Sequence, residues 1–438
     1  LLRNEDGTLP LVGGQRLAVI GAMATEPRFQ GGGSSHINPT RTDIALDELR
    51  TRAGEFGITV TDAQGYSTAE GADSTALRDE AVAAAADVDI AVVFAGLTDK
   101  EESEGFDRTH IDLPTEQVEL IQAVAKAAPR TVVVLSNGGI VSVEGWHDEV
   151  DAIVEGFLLG QGGGAAIADV LLGVVNPSGH LAESMPLRLE DNPSWINFPG
   201  EQGTVRYGEG VMVGYRYYAS AGIPVRYPFG HGLSYTTFET TALQVEVTGP
   251  DTAITRVTVA NTGGHAGKHV VQVYVATEAG RVRRPVRELR AFTKVHLEPG
   301  ETRTVELELG RRAFAYWDVT RDRWVVTGGA YAVEVCDNAH DVVASAAIEL
   351  AGDALVKPLS LESSVSDWFT HPVVGPELHT RMAAAMTADQ AAQASESADM
   401  LKMVESMPMK QFMGFLPGIV TSELLQELME LSRTVPGD

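Results

Sequence analysis

The sequence predicts an α/β domain built on a mostly parallel sheet, then an all-β sandwich, then a helical C-terminal tail. Two observations lead there. Up to about Pro186, continuous apolar runs alternate with Ala-rich helical windows, the pattern of a parallel sheet covered by helices on its faces. From Thr236 to about Leu350 the hydrophobic period becomes two, as half-buried antiparallel strands require.

Taken in chain order, "RLAVIGAMA" (16–24), "DIAVVFAGL" (89–97), "TVVVLSNGG" (131–139) and "AIVEGFLLG" (152–160) read as buried strands rich in Val and Ile. Between them "ALRDEAVAAAADV" and "PTEQVELIQAVAKAA" read as helices. In the latter, Val118, Ile121 and Val124 or Ala125 recur at helical spacing. Pro114 takes the first helical position and Glu116 falls in the first turn, where an anionic group suits the helix dipole. These elements make up a domain over residues 1–186. Residues 187–235 are irregular and too long for a plain connection. Their aromatics, in "NPSWINFPGEQG" and "YPFGHGLSY", predict an ordered linker rather than a disordered one. Over 236–352, "TVELELG" places Val305, Leu307 and Leu309 on one side and Glu306 and Glu308 on the other. "ITRVTVANTGG", "HVVQVYVAT" and "AYAVEVCDN" behave alike, separated by turns such as "EPGE". Short alternating strands of this kind predict a sandwich of the immunoglobulin or fibronectin type III kind. The tail, 353–438, is helical and Met-rich, with "SELLQELMEL" amphipathic.

Composition narrows the function classes. Lys and Arg number 33 against 60 Asp and Glu, a net charge of -27, which disfavours nucleic acid and anionic membranes as partners. No run reaches the roughly 18 apolar residues of a membrane span. The single cysteine, Cys336, excludes an intrachain disulfide and a cysteine-based metal cluster, and is expected as a small buried apolar residue. His36, His110, His180 and His231 lie in loops without ligand-type spacing, so neither metal nor cofactor is expected. The chain starts at Leu1 with no signal-peptide pattern. It is expected to be a piece of a longer product, cytoplasmic rather than secreted, and compatible with a homo-oligomer.

Ligand-binding loops of a parallel sheet lie beyond the carboxyl ends of its strands. Two segments qualify, "EPRFQGGGSSHINP" and "TDKEESEGFDRTHIDLP". The first has neither GxGxxG nor GK[ST] and opens no helix, so a nucleotide cradle is a poor reading. A tight turn, or a loop bringing backbone and the Ser34 and Ser35 hydroxyls to a polar ligand, fits better. In the second, residue types alone leave two readings open. One is a solvated acidic run. The other is a functional carboxylate whose pKa the neighbouring Phe106 ring raises toward that of a general acid.

A set of motifs decides between them. "LLRNEDGTLPL", "GGGSSHINP", "SEGFDRTHIDLP", "VVNPSGHLAESMP", "EGVMVGYRYY", "YPFGHGLSYTTF", "NTGGHAGKHVVQVYV", "RPVRELRAFTKVHLEPGE" and "RWVVTGGAY" occur in that order. Residues 1 to 350 thereby resemble the C-terminal half of glycoside hydrolase family 3, the β-glucosidase and related exoglycosidase family. The resemblance implies an α/β sandwich domain followed by a fibronectin type III-like domain, with an N-terminal (β/α)8 barrel ahead of both. It also implies that Glu104 of "SEGFDR" is the general acid/base and that Ser34, with Ser35 beside it, binds the sugar. On this reading Glu101 and Glu102 are loop charges, while Asp107 and Arg108 hold the loop. The aspartate nucleophile belongs to the barrel, outside this chain. "SVSDWFTHP" (364–372) contains the Ser-Asp-Trp tripeptide that carries this nucleophile in many members. Here it follows "LSLESS" rather than an apolar strand, so Asp367 is expected to be a helix cap or loop residue.

The expected activity is that of a retaining β-glycosidase of β-glucosidase type, with this chain supplying the acid/base half. Its substrate would be a β-linked glucoside or oligosaccharide cleaved at the non-reducing end, with β-xyloside or α-L-arabinoside as alternatives. The presence of Glu104 points away from the N-acetylglucosaminidase branch, which takes its acid/base from a barrel loop. The competing expectation is a non-catalytic carbohydrate-binding or adhesion module, for which the "SEGFDR" loop has no use. The apolar stripe of the tail needs cover, expected from the catalytic face, the barrel or a partner chain.

Overall fold

The apolar runs become the interior of a six-stranded sheet in a computed structural model of the chain, which describes residues 1–69, 73–353, 356, 358–385 and 404–434. The strands are β1 (Arg3–Asn4), β2 (Arg16–Ile20), β3 (Thr59–Ala63), β4 (Ile90–Gly96), β5 (Thr131–Ser136) and β6 (Ala152–Glu155). Their order across the sheet is β1-β6-β5-β4-β2-β3. Neighbours run parallel except β1, which is antiparallel to β6. All seven residues of β4 are buried, which is why "IAVVFAG" lacks the alternation of a one-sided strand.

Four helices accompany the sheet: α1 (Ala45–Ala53), α2 (Thr75–Ala86), α3 (Thr115–Ala127) and α4 (Gly163–Leu171). They pack in pairs, α1 with α4 and α2 with α3. Helix α3 begins at Thr115 with Pro114 as its N-cap, one residue earlier than the sequence suggested for the proline. Its buried residues are Gln117, Leu120, Ile121 and Val124. A glutamine belongs among them because its amide exchanges two bonds with the last residue of β4. Gly96 N–H donates to Oε1 (2.8 Å) and Nε2 donates to the Gly96 carbonyl (2.9 Å). The strand end is thereby satisfied internally, at the point where the acidic loop departs.

The period-two region forms a three-stranded sheet (Thr302–Leu309, Ala253–Asn261, Phe238–Val247) and a four-stranded one (Glu288–Leu297, Gly267–Ala276, Gly329–Cys336, Val342–Leu350). Burial alternates at every residue of Ala253–Asn261, as the sequence pattern requires. Cys336 is a free thiol, buried as expected.

The chain divides into two compact units, Leu1–Ala315 with Ala330–Leu350, and Tyr316–Gly329 with Ala351–Asp438. The second contains the helices Val365–Thr370, Val374–Ala385, Met409–Phe412 and Ser422–Thr434. Trp368, Leu378, Met409, Leu425 and Leu428 meet in its own core. These side chains are buried against one another within the tail. Among the described residues no helix is long and apolar enough to cross a membrane.

Candidate active site

Strand β2 pairs with β3 on one side and β4 on the other. The chain therefore leaves β2 in one direction and returns on the opposite side. The loops after β2 and β4 flank the resulting switch point, where ligands of open α/β sheets bind.

The two loops dock closely enough to explain the glycines. A Cβ on Gly32 would lie 2.6 Å from Ser103 Oγ, and one on Gly33 would lie 2.7 Å from Glu104 Cβ. Gly33 also has a φ of +85°, a region costly for other residues. With no side chains in the way, the Ser34 N–H donates to Glu104 Oε2 at 2.8 Å. Ser34 and Glu104, 70 residues apart in sequence, are thus direct partners. Ser35 faces differently, its hydroxyl donating to the Gly31 carbonyl at 2.9 Å within its own loop. Both Ser34 and Glu104 are exposed.

The acidic loop is held from within by the residues read from the sequence as mere loop charges. Glu101 accepts the Thr98 N–H (2.7 Å) and hydroxyl. Glu102 accepts the N–H groups of Gly138 and Gly139, both at 2.5 Å, fastening the loop to the segment after β5. Arg108 approaches Glu102 at 3.8 Å and donates to the Ile140 carbonyl at 2.9 Å, the loop-holding role expected of it. Arg28 was not singled out by sequence. Its guanidinium donates to the carbonyls of Gln30, Leu97 and Glu102. No local signal marks it, since two of its three partners, Leu97 and Glu102, are brought near only by the pairing of β2 with β4.

The electrostatics differ from expectation at one point. Phe106 is 49% exposed and does not enclose the carboxyl. Hydrogen bonding from Ser34 instead holds Glu104 below the usual glutamate range, because donors stabilise the ionised form. Glu104 thus lies on an open face with its ionised form favoured by the Ser34 donor. Elsewhere burial pushes Glu155 up to about 7. Of the loop histidines, His36 pairs with Asp99 at 2.9 Å, while His180 and His231 bond to the Gly230 and Leu2 carbonyls. Among the described residues no group of three or more His, Cys, Asp or Glu is arranged to hold a metal ion.

Asp367 caps the helix Val365–Thr370. Its N–H donates to Ser364 Oγ and its carboxylate accepts the Ser364 N–H, each at 3.1 Å, forming a capping box.

Comparison with known proteins extends this geometry. Residues 1–235 match the glycosyl hydrolase family 3 C-terminal domain, and residues 269–339 match a fibronectin type III-like domain. The exo-α-(1→6)-L-arabinopyranosidase of Bifidobacterium breve is 44% identical over 417 residues, covering 93% of this chain and 54% of that protein. The thermostable β-glucosidase B of Acetivibrio thermocellus is 41% identical over 439 residues, covering 98% of this chain and 57% of that protein. The crystal structure of a family 3 β-glucosidase from Bifidobacterium adolescentis superposes with a TM-score of 0.82 at 45% identity, covering 86% of this chain and 55% of that one. The chain thus spans about half the length of the relatives it matches.

Proposed function

Given that this chain belongs to glycoside hydrolase family 3, we propose that it supplies the acid/base half of a retaining exo-glycosidase. The observation behind this reading is the docking of Glu104 on the Ser34 amide at the switch point of the sheet. In a retaining mechanism one carboxyl attacks the anomeric carbon. The other first protonates the departing oxygen and then takes a proton from water, the two standing about 5–5.5 Å apart. Glu104 is assigned the second role. The nucleophile is assigned to a barrel carried by the part of the relatives that this chain does not match. Asp367 is a poor candidate, since both the carboxylate and the N–H are engaged in a helix cap.

The substrate class follows as a β-glucoside or oligosaccharide cleaved at its non-reducing end. A second sugar has specific support, because two of the similar relatives are exo-α-(1→6)-L-arabinopyranosidases. An α-L-arabinopyranoside presents its anomeric bond with the geometry of a β-D-hexopyranoside but lacks the exocyclic carbon.

Hydrolysis of p-nitrophenyl β-D-glucoside and p-nitrophenyl α-L-arabinopyranoside by the 438-residue chain tests the proposal. No turnover alone, with turnover on adding the barrel polypeptide, is expected, and the better of the two substrates identifies the sugar. Full activity from the chain alone would overturn the composite site. In the complemented enzyme, Glu104→Ala should cost on the order of 10²–10⁴-fold for poor leaving groups and far less for good ones. Equal losses would overturn the acid role.

A further inference from the structure

We propose that Arg28 is a positioning residue that sets the register between the serine loop and the acidic loop, and so aims Glu104. The proposal rests on the acid/base reading of Glu104. Its basis is the reach of a single, largely buried guanidinium, whose side chain is only 8% exposed. Nε donates to the Gln30 carbonyl at 2.8 Å, on the stem of the serine loop. Nη1 donates to the Leu97 carbonyl at 2.7 Å, where β4 ends. Nη2 donates to the Glu102 carbonyl at 3.0 Å, two residues before Glu104. Asp99, 3.2 Å from Nε, balances the charge and also pairs with His36 beyond the serines. Each end of the loop–loop contact is therefore tied, with Gly32 against Ser103 and Gly33 against Glu104 between the ties.

The planar fork suits this task, since three carbonyls in three directions are met by one rigid group. An ammonium is a single point on a flexible stem and cannot span all three. With Arg28→Lys the loops should remain folded but slide relative to one another. A displacement of about 1 Å at a reacting group costs on the order of 10²-fold in rate. Glu102 completes the device from the other side by fastening the same loop to Gly138 and Gly139.

The test uses the 438-residue chain labelled with ¹³C at glutamate carboxyls, with the Glu104 resonance assigned by its loss in Glu104→Gln. In the parent chain this carboxyl should titrate below ordinary glutamate. In Arg28→Lys and Arg28→Met it should rise to the ordinary range as the Ser34 bond is lost. An unchanged titration in either folded variant would overturn the proposal. Arg28→Lys keeps the buried cation beside Asp99, and so decides the matter if Arg28→Met fails to fold. In the enzyme complemented with its barrel, Arg28→Lys should lower kcat for a poor leaving group by about 10- to 100-fold with KM little changed. A loss confined to KM, or equal for good and poor leaving groups, would mean a merely structural residue. If Glu104→Gln leaves the complemented activity intact, the acid/base reading fails, while the carboxyl titration still decides whether Arg28 holds Glu104.

Discussion

Replacing Glu102 by Gln tests whether the acidic loop is fastened by charge. The carboxylate accepts two backbone N–H groups at 2.5 Å, and its side chain is 18% exposed, so water screens it weakly. Hydrogen bonds to a charged acceptor contribute about 1.5–3 kcal/mol each. Glutamine offers one neutral carbonyl, worth about 1 kcal/mol, and turns its NH₂ toward the second glycine amide. Arg108, whose burial already disfavours its charge, loses the first of the carboxylates that favour it, which adds to the cost. The sum is about 3–4 kcal/mol. In a urea series with a slope of about 3 kcal/mol per M, the midpoint should fall by about 1 M at unchanged slope. Amide exchange in β5 restricts the readout to the α/β domain. A midpoint within about 0.1 M of the parent chain would show that Gly138 and Gly139 do not depend on Glu102, and the fastening argument would be wrong.

Other perturbations give separate readings. Glu155 has its folded pKa raised to about 7 by burial. Its contribution is therefore fully present below the unfolded glutamate value and lost as pH rises through about 7. Relative to Glu155→Gln, the parent chain should lose about 3 kcal/mol across that window, seen as a falling difference between urea midpoints. Parallel pH profiles would exclude a buried proton on Glu155. Gly33→Ala should push the carboxyl of Glu104 from Ser34, because the added Cβ would stand 2.7 Å from Glu104 Cβ. A wild-type Glu104 titration in that variant would show that the loops have room to spare. Trp368→Ala removes a fully buried indole from the tail's core at a cost of about 3–5 kcal/mol. Hydrogen exchange should then rise together over 359–382 and 409–428, and unchanged protection there would contradict a shared core.

What the sequence discloses follows the range of the interaction responsible. The strand cores were legible because burial on both faces leaves continuous Val and Ile runs. The sandwich strands were legible because one buried face leaves strict alternation, as Ala253–Asn261 shows. Strand β3 was not singled out, and its burial explains why: Thr59, Thr61 and Asp62 are exposed at the sheet edge, so no apolar run marks it. At the site, the two loops were identified from their position after strands. Their fastenings were not. Arg28 and the Glu102 carbonyl are 74 residues apart, and only the parallel pairing of β2 with β4 brings them together. Phe106 illustrates the opposite error. Adjacency in sequence suggested an apolar wall, yet the ring is half exposed and Ser34, far away in sequence, governs the carboxyl.

The Ser34 donor also shapes what the proposed composite site must add to this chain. A general acid must hold its proton near the working pH, whereas Glu104 as it stands here is shifted the other way by the Ser34 donor. Two physical changes would reverse the shift. A second carboxylate about 5 Å away, as retaining cleavage needs, penalises the ionised form through like charge, and exclusion of water adds a desolvation penalty in the same direction. Both would come from the barrel and the bound sugar rather than from this chain. The Ser34 bond then has a definite use. In the proposed composite site it would keep Glu104 aimed and ionised after the leaving group has taken its proton, when the carboxylate would act as base toward water. Alternation between the two roles thus requires opposing influences on one carboxyl, with the donor built into this chain and the repulsion supplied across the proposed composite site.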